Sequence, residues 1–543
     1  LAQAVKGDSL HVFGSMPDVE ECLQYAAEIW ENAEEFRKLF QEEDSVERSR
    51  LIQERIRQAW VREEPEDELD YSADQILEGL KCCPDEMDSL MNGLCGGYIP
   101  PGECGMPDEN GLGILPTGRN LHLSGTDRIP VKSAWERGKE LADQLIELYR
   151  KEEGALPRKV AMNMMSLDVT RSKGEQLSQF LYLMGITPLW DAKGRVNGLA
   201  PIPLEQLGRP RIDVTVRITG VLRDTWPFVV EMMDEAVLLV ASLEEPEQVN
   251  YVRANMKSMN NTVRIFGDAP GTYGAGVDLA LMASAWESEE DLMRYYIKHS
   301  AYAYGKELHG ETRIQEFVDN VKDVDVSYDV TESPRMDVLE CGFGTQVQGG
   351  MRLMAKYLGK KKIRQYQGVS ERGRAVRTES LSARYRRSVE ETLLNSLWRE
   401  EKKKQGYQGA GNFMFRLQNL FMDQCLNELL PDEVIDQIAE ACMNAPDMQE
   451  FFRQENPYAM EEAARRFLEL HQRGKWNGDP EILTRLQEAY LEAEGDVECG
   501  LASRGEIQGG SVEIQNDAQV ESWRDKMREV DQVLARMQDS SAK

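Results

Sequence analysis

The chain has 543 residues, of which 41% are hydrophobic, and carries a formal net charge of -31. That excess of acid argues against nucleic acid, whose phosphates demand a basic footprint, and against an anionic membrane surface. The longest apolar run, residues 236–243, is far too short to span a bilayer. Nine cysteines, an odd number scattered through a long chain, do not make a disulfide framework. The length admits roughly two to four domains. No basic-then-apolar leader opens the chain, and Leu1 stands where Met is usual, as in a fragment of something longer. The expectation is an acidic, soluble, cytoplasmic protein without membrane insertion.

In chain order, residues 10–14 read as a short buried strand and 19–60 as helix rich in Glu and Arg. An acidic break over 62–70 precedes a helical pattern over 73–94, and 96–119 is a Gly/Pro-rich loop. Loops of that length inside a domain are usually functional or disordered, and the aromatic and apolar content here favours order. A helix over 133–151, a strand over 160–165, a helix over 174–183 and strands over 187–190 and 196–202 follow. Over 209–224 the alternation is clearest, with Ile212, Val214, Val216 and Ile218 on one side and Asp213, Thr215, Arg217 and Thr219 on the other. A period of two in β-branched residues predicts a half-buried strand. Arg223 and Asp224 come just after its end, where open α/β sheets keep ligand sites; an ion pair closing the turn is the plainer reading. A helix over 226–243, a glycine-rich loop over 264–276, a helix over 286–304 and a strand over 324–330 complete this part.

Beyond residue 359 the periodicity is helical over 384–404, 412–430, 432–445, 456–472 and 480–494. Asn456-Pro457 and Asp479-Pro480 put Pro in the first helical turn behind a capping residue. The predicted class is α/β, a βαβ-type sheet followed by a large C-terminal all-helical subdomain. The expected parts are an N-terminal strand and helical segment over 1–95 that continues a missing N-terminal part and a core with glycine-rich loops over 96–359. A helical subdomain over 360–499 and a flexible tail over 500–543, with a possible terminal helix at 520–537, follow.

The glycine-rich segment 267–276 lacks the Lys-Ser/Thr of a Walker loop, and no Gly-x-Gly-x-x-Gly opens a helix after a strand. Any ATPase therefore belongs on another chain. Cys82, Cys83, Cys95 and Cys104 cluster without the spacing of a zinc site, so separate thiols are expected. His122 follows a Gly-Arg-Asn loop; it reads either as a satisfied loop histidine or as a ligand. Twelve Lys or Arg fall within 352–387, a solvated face, a docking patch or a receiver for a polycarboxylate.

Taken together, Tyr98 to Gly102, Leu115 to Asn120, Gly185 to Asp191, Leu207 to Arg217, Arg264 to Gly267, Pro270 to Gly276, Tyr302 to Gly305, Gln348 to Met351 and Tyr490 to Gly495 form an ordered set. It resembles the large subunit of class I chelatases, meaning CobN of cobaltochelatase and the H-type large subunit of magnesium chelatase, over their carboxyl-terminal half. The resemblance implies a ligase that inserts a divalent metal into a tetrapyrrole. Cobalt into a corrinoid precursor of the hydrogenobyrinic acid a,c-diamide type, within cobalamin biosynthesis, is the first reading. Magnesium into protoporphyrin IX, or a non-catalytic tetrapyrrole-binding homologue, is the alternative. The implied partners are an AAA+ ATPase subunit, which hydrolyses the ATP, and its metal-adhesion-domain companion.

Such a site must strip water from the cation and accept N-H protons, for which carboxylates and imidazole suit. The implied catalytic residues are Glu340, His122, Glu175 and Asp224, with His122 and Glu340 as metal ligands. Arg119, Arg217 and Arg223 would hold substrate carboxylates, Trp190 and Tyr273 would cover the ring, and Asn120 and Gln348 would assist. Relatives resembling CobN carry Asp-Ser-Asp and then His-Gly-Gly-Met where this chain has Glu340-Cys341-Gly342 and Gln348-Gly349-Gly350-Met351.

Overall fold

A computed structural model describes residues 14, 82–103, 116–122, 128–191, 194–331, 338–359, 363–370, 375–498 and 517–541. The strand expected at 10–14, the helix at 19–60, the acidic break at 62–70 and the tail at 500–516 lie outside these, apart from the single residue 14.

Among the described residues, eight strands form the main sheet: β1 (Lys159–Met164), β2 (Asp213–Ile218), β3 (Ile265–Gly267), β4 (Tyr302–Tyr304), β5 (His309–Thr312), β6 (Val326–Thr331), β7 (Arg364–Val369) and β8 (Arg377–Ser380). Their order across the sheet is β8-β7-β6-β1-β2-β3-β4-β5. The five from β7 to β3 run parallel, while β8 and the β4-β5 pair are antiparallel edges. The chain winds outward from β1 through β2 and β3, then returns to the other side of β1 at β6. Strands β1 and β6 thus flank a topological switch point, where doubly wound sheets open a crevice at their carboxyl ends.

The helices that bear on the site are α1 (Lys132–Glu153), α2 (Glu175–Leu183), α3 (Pro227–Ser242), α4 (Glu289–Ser300), α5 (Ile314–Val321), α6 (Phe343–Tyr357), α7 (Gly406–Asn427), α8 (Pro457–Gln472) and α9 (Asp517–Ser541). Val160, Met162, Val214, Val216, Val326 and Tyr328 pack on one side of the sheet with residues of α1, α2 and α3. Ala161 and Phe266 pack on the other with α4, α5, α6 and the C-terminal helices, in one continuous core.

Four expectations change. The strand at 213–218 is buried on both faces rather than half-buried, because the helical layer covers its polar side. The segments at 187–190 and 196–202 pair with each other as an antiparallel hairpin, Ile186–Trp190 with Val196–Pro201, outside the main sheet. The helix expected over 286–304 ends at Ser300, and Tyr302–Tyr304 turns into an edge strand that pairs with Phe266 and Gly267. Strands β7 and β8 extend the sheet past residue 359, so the boundary placed there falls inside the α/β unit. The C-terminal caps form as read: Asn456 Oδ1 accepts from Ala459 N at 3.2 Å, and Asp479 Oδ1 accepts from Glu481 N at 2.8 Å.

Candidate functional site at the switch point

Parallel register brings four polar residues into one row across the carboxyl half of the sheet. Arg217 on β2 pairs with Asn163 on β1, and Asp329 on β6 pairs with Gln367 on β7. Asn163 Nδ2 donates to Asp329 Oδ1 at 3.3 Å and joins the two halves. In-register neighbours of a pleated sheet share a face, so all four side chains point toward the helical layer. There the first turn of α6 lies over them. Phe343 covers the Arg217 guanidinium at 5.4 Å, and a Cβ on Gly344 would collide with Asp329 Oδ2. Only glycine lets the helix approach that carboxyl so closely.

At the carboxyl end of β1, the chain passes into the short helix Ser166–Ser172 and then α2. Asp168 Oδ1 receives Ser172 Oγ at 3.1 Å, and its Oδ2 receives the Gln176 amide at 3.3 Å. Gln176 Nε2 donates to the Asn163 carbonyl at 2.6 Å and ties α2 back to β1. Glu175, the first residue of α2, accepts from Arg137 Nε at 2.6 Å and from Ser370 Oγ. Arg137 Nη2 also donates to Ser370 Oγ at 2.6 Å, so Glu175, Arg137 and Ser370 close a triangle at the ends of α2 and β7.

Burial governs the charge of these acids. Asp168 is pushed up to about 7 by burial and by the nearby charge of Glu175. Asp329 is pushed up to about 7 by burial, against the hydrogen bond from Asn163. Burial also raises Glu175, with Arg137 pulling the other way. On α7, Asp423 rises to about 8 by burial and receives the Thr345 hydroxyl of α6. Groups with such values exchange protons near neutral pH.

The residues singled out from the sequence fall in four places. Arg119, Asn120 and His122 lie together on a small parallel ladder, Pro101–Glu103 with Asn120–His122; the His122 side chain is outside the described residues. Glu175 lies at the crevice beside Asp168, and Trp190 sits behind it, donating Nε1 to the Pro130 carbonyl at 2.8 Å and packing edge-on against Trp135. Arg217, Arg223, Asp224 and Tyr273 gather at the end of β2. Arg223 holds Asp224 through two bonds of 2.6 and 2.8 Å, and Tyr273 donates to Asp224 Oδ2 at 2.9 Å. That cluster is the turn-closing ion pair, with Tyr273 62% exposed above it. Arg217 is fully buried, bound to Asp268 and to the Gly274 carbonyl at 2.7 Å, so its guanidinium anchors the glycine-rich loop. In the fourth place, Glu340 accepts from Arg416 of α7 at 2.5 Å, and Gln348, buried in α6, donates to the Tyr366 carbonyl at 3.0 Å.

Among the described residues, no three His, Cys, Asp or Glu side chains converge as a metal site, and no helix is long and apolar enough to cross a membrane. Cys82, Cys83 and Cys95 are separate thiols; Cys104 is outside the described residues. Among the described residues of the basic block, Arg352 pairs with Glu428, Lys356 with Glu289, Arg364 with Glu152 and Glu153, and Arg387 with Glu379. Sequence reasoning missed Asp168, Asp329, Asn163 and Gln367. A signal for Asp329 existed, since it is an acid near the carboxyl end of an apolar strand, the same rule that drew attention to Arg223 and Asp224.

Fold and site define a doubly wound α/β protein whose switch point is covered by a helical layer and holds buried carboxyls, Asp168 and Asp329. Residues 1–483 match the family model described as CobN/Magnesium Chelatase, and the chain belongs to that family. It is similar to an uncharacterized protein of Methanocaldococcus jannaschii, 39% identical over 79% of this chain and 36% of that one. It is also similar to the H-type magnesium-chelatase protein of Chlorobaculum parvum, 30% identical over 78% of this chain and 34% of that one. The solved catalytic subunit of cobaltochelatase from Mycobacterium tuberculosis superposes with a TM-score of 0.79 at 30% identity, covering 90% of this chain and 45% of that one. The chain spans about a third of the length of these curated relatives.

Proposed function

We propose that this chain supplies a tetrapyrrole-binding and metal-inserting part of a metallochelatase large subunit, with cobalt(II) and a metal-free corrin as substrates. The observation that carries the reading is the pair of buried carboxyls at the switch point, Asp168 and Asp329, which have no cation within ion-pair distance among the described residues. Metal insertion needs such groups, because each N-H bond broken in the macrocycle releases a proton that must be received. Glu175, at the start of α2, would be one such group; Glu340 and His122 would serve as transient ligands that exchange for water on the entering cation. Arg119 is exposed and offers its guanidinium to a substrate carboxylate. Arg217 and Arg223 already hold Asp268 and Asp224, so they would bind substrate only by exchanging partners. Tyr273, exposed beside Asp224, would cover an edge of the ring. The energy would come from ATP on an AAA+ subunit and its metal-adhesion-domain companion.

Magnesium with protoporphyrin is the second reading, favoured by the likeness to the H-type magnesium-chelatase protein. A non-catalytic binder is favoured by Gly342 and Gln348, which stand where CobN-like chains carry Asp and His. The test is a fluorescence and absorbance titration of the purified chain with metal-free corrin and with protoporphyrin. The corrin should bind at least ~10-fold tighter, a difference of about 1.4 kcal/mol. Preference for the porphyrin would move the reading to magnesium, and binding of neither would sink it.

A further inference from the structure

We propose that α9 is a displaceable clasp on the glycine-rich loop 268–276: docked, it braces the supports at both ends of that loop, and released, it frees the loop that carries Tyr273. Such a clasp would act whatever the loop binds, so it stands apart from the metal-insertion reading.

Two polar ties from α9 reach the two ends of the loop. Tyr302 on β4 pairs in register with Gly267, the residue just before the loop, and Lys526 Nζ donates to the Tyr302 hydroxyl at 2.6 Å. At the far end, Gly276 turns back against α4, where a Cβ would run into the His299 side chain. Burial, with the charges of Lys298, Arg217 and Lys526, lowers that imidazole to about 4, so an uncharged ring packs on the glycine. Arg294 of the same helix pairs with Asp531 of α9 at 3.0 Å. From the sheet side, Arg217 holds the Gly274 carbonyl at 2.7 Å. The loop is therefore gripped from within by Arg217 and backed from outside by elements that α9 touches.

The anchor of α9 is small. Of its described side chains only Val530, Val533 and Leu534 are buried. Met537 packs beside them, its sulfur accepting from Gln315 Nε2 of α5 at 3.5 Å. By contrast, every residue of β1 and β2 is buried. A helix held by one short apolar stripe opens more readily than the strands behind it, and away from its groove such a helix is only marginally stable. It also lies beyond residues 1–483, which match the family model, so the matched frame does not include it.

Docking of α9 and order in the loop are then one equilibrium. When α9 leaves, Tyr302 loses Lys526 and Arg294 loses Asp531, so neither Gly267 nor Gly276 is braced from behind. A ligand that seats on the ordered loop and Tyr273 tightens α9 by the same factor by which α9 tightens the ligand.

The test is amide hydrogen exchange on the full chain, wild type against Val533→Asp with Leu534→Asp. Both substitutions lie on α9, so the sheet and its helices keep their own residues. In the double variant, 267–276 and 294–302 should exchange roughly 10-fold faster or more, while β1 and β2 stay within about two-fold of wild type. A peptide of residues 517–541 added in trans should restore the slow exchange, and the same peptide carrying Lys526→Ala should restore less of it at the start of the loop. In wild-type protein at low urea, 517–541 and 267–276 should open together and before β1. That measurement needs no variant and decides the matter if the double variant misfolds. Unchanged exchange in 267–276 once α9 has lost its protection overturns the proposal. So does a peptide that fails to restore the loop, or opening of α9 only together with β1 and β2, which would make it part of the global folding unit. Each of these results leaves the metal-insertion reading standing.

Discussion

Asp213 and Asp329 are both buried in the same sheet, and their neighbours send them opposite ways. For Asp213 burial works against ionisation, but Arg264 and Lys159 together draw it below the ordinary carboxylate range. Asp329 meets the same burial with no cation and rises to about 7. The consequences for stability have opposite sign. Asp213 contributes stability that is present above its unfolded value, about 3.9, and is lost as pH falls through its lower folded value. Asp329 and Asp168 bind the proton more tightly when folded, so their contribution is full at acid pH and is lost as pH rises from about 4 to about 7. Asp168→Asn with Asp329→Asn should therefore flatten the pH dependence of unfolding over that window and leave the double variant more stable than wild type at pH 8, by an amount on the order of a few kcal/mol. Urea melts at a series of pH values measure this, and an unchanged slope would mean that both acids are ionised in the native state.

At the scale of elements, the terminal helix α9 shows how a pattern becomes a docking face. Val530, Val533 and Leu534 are 2% exposed or less, and Met537 packs beside them, at the i, i+3, i+4, i+7 spacing of a helical stripe. The helix lies on α4 and α5. Lys526 Nζ bonds the Tyr302 hydroxyl at 2.6 Å, and Asp531 pairs with Arg294 at 3.0 Å. A segment that reads as an isolated terminal helix is thus bound to the wall behind the glycine-rich loop. There Gly276 adopts φ +76°, and a Cβ on it would run into His299 of α4. Leu534→Ala removes one of three anchors and should cost about 2–4 kcal/mol. Hydrogen exchange is expected to quicken across 517–541 and on α4 while β1 stays protected. Uniform loss of protection would mean that α9 is part of the global folding unit.

At the scale of the whole molecule, charge would govern how the proposed anionic macrocycle approaches. The net charge is -31, and the arginines nearest the end of β2, Arg217 and Arg223, are taken up by Asp268 and Asp224. Long-range repulsion should therefore dominate the encounter. Raising ionic strength from about 10 mM to about 150 mM screens it and should speed association several-fold in stopped-flow fluorescence. A rate that falls with salt would reveal a cationic funnel at the crevice mouth.

Local pattern made much of this protein legible: the alternation of β2, the helices capped at Asn456 and Asp479, and ordered motifs specific enough to place the family. Those features follow from backbone periods of two and 3.6 and from residues that act on their own turn. What the chain alone left open depends on long-range pairing. The alternation at 213–218 shows that two faces differ, but not that α5 and α6 bury the polar one. The block at 352–387 shows positive charge, but not that acids on distant elements meet it. Arg217 reads as an anion receptor until Asp268, 51 residues away, claims it. Asp329 draws no notice until register sets it beside Asn163, which lies 166 residues away in the chain. Its carboxyl is pushed above the ordinary carboxylate range because the tertiary fold buries it and brings no cation beside it.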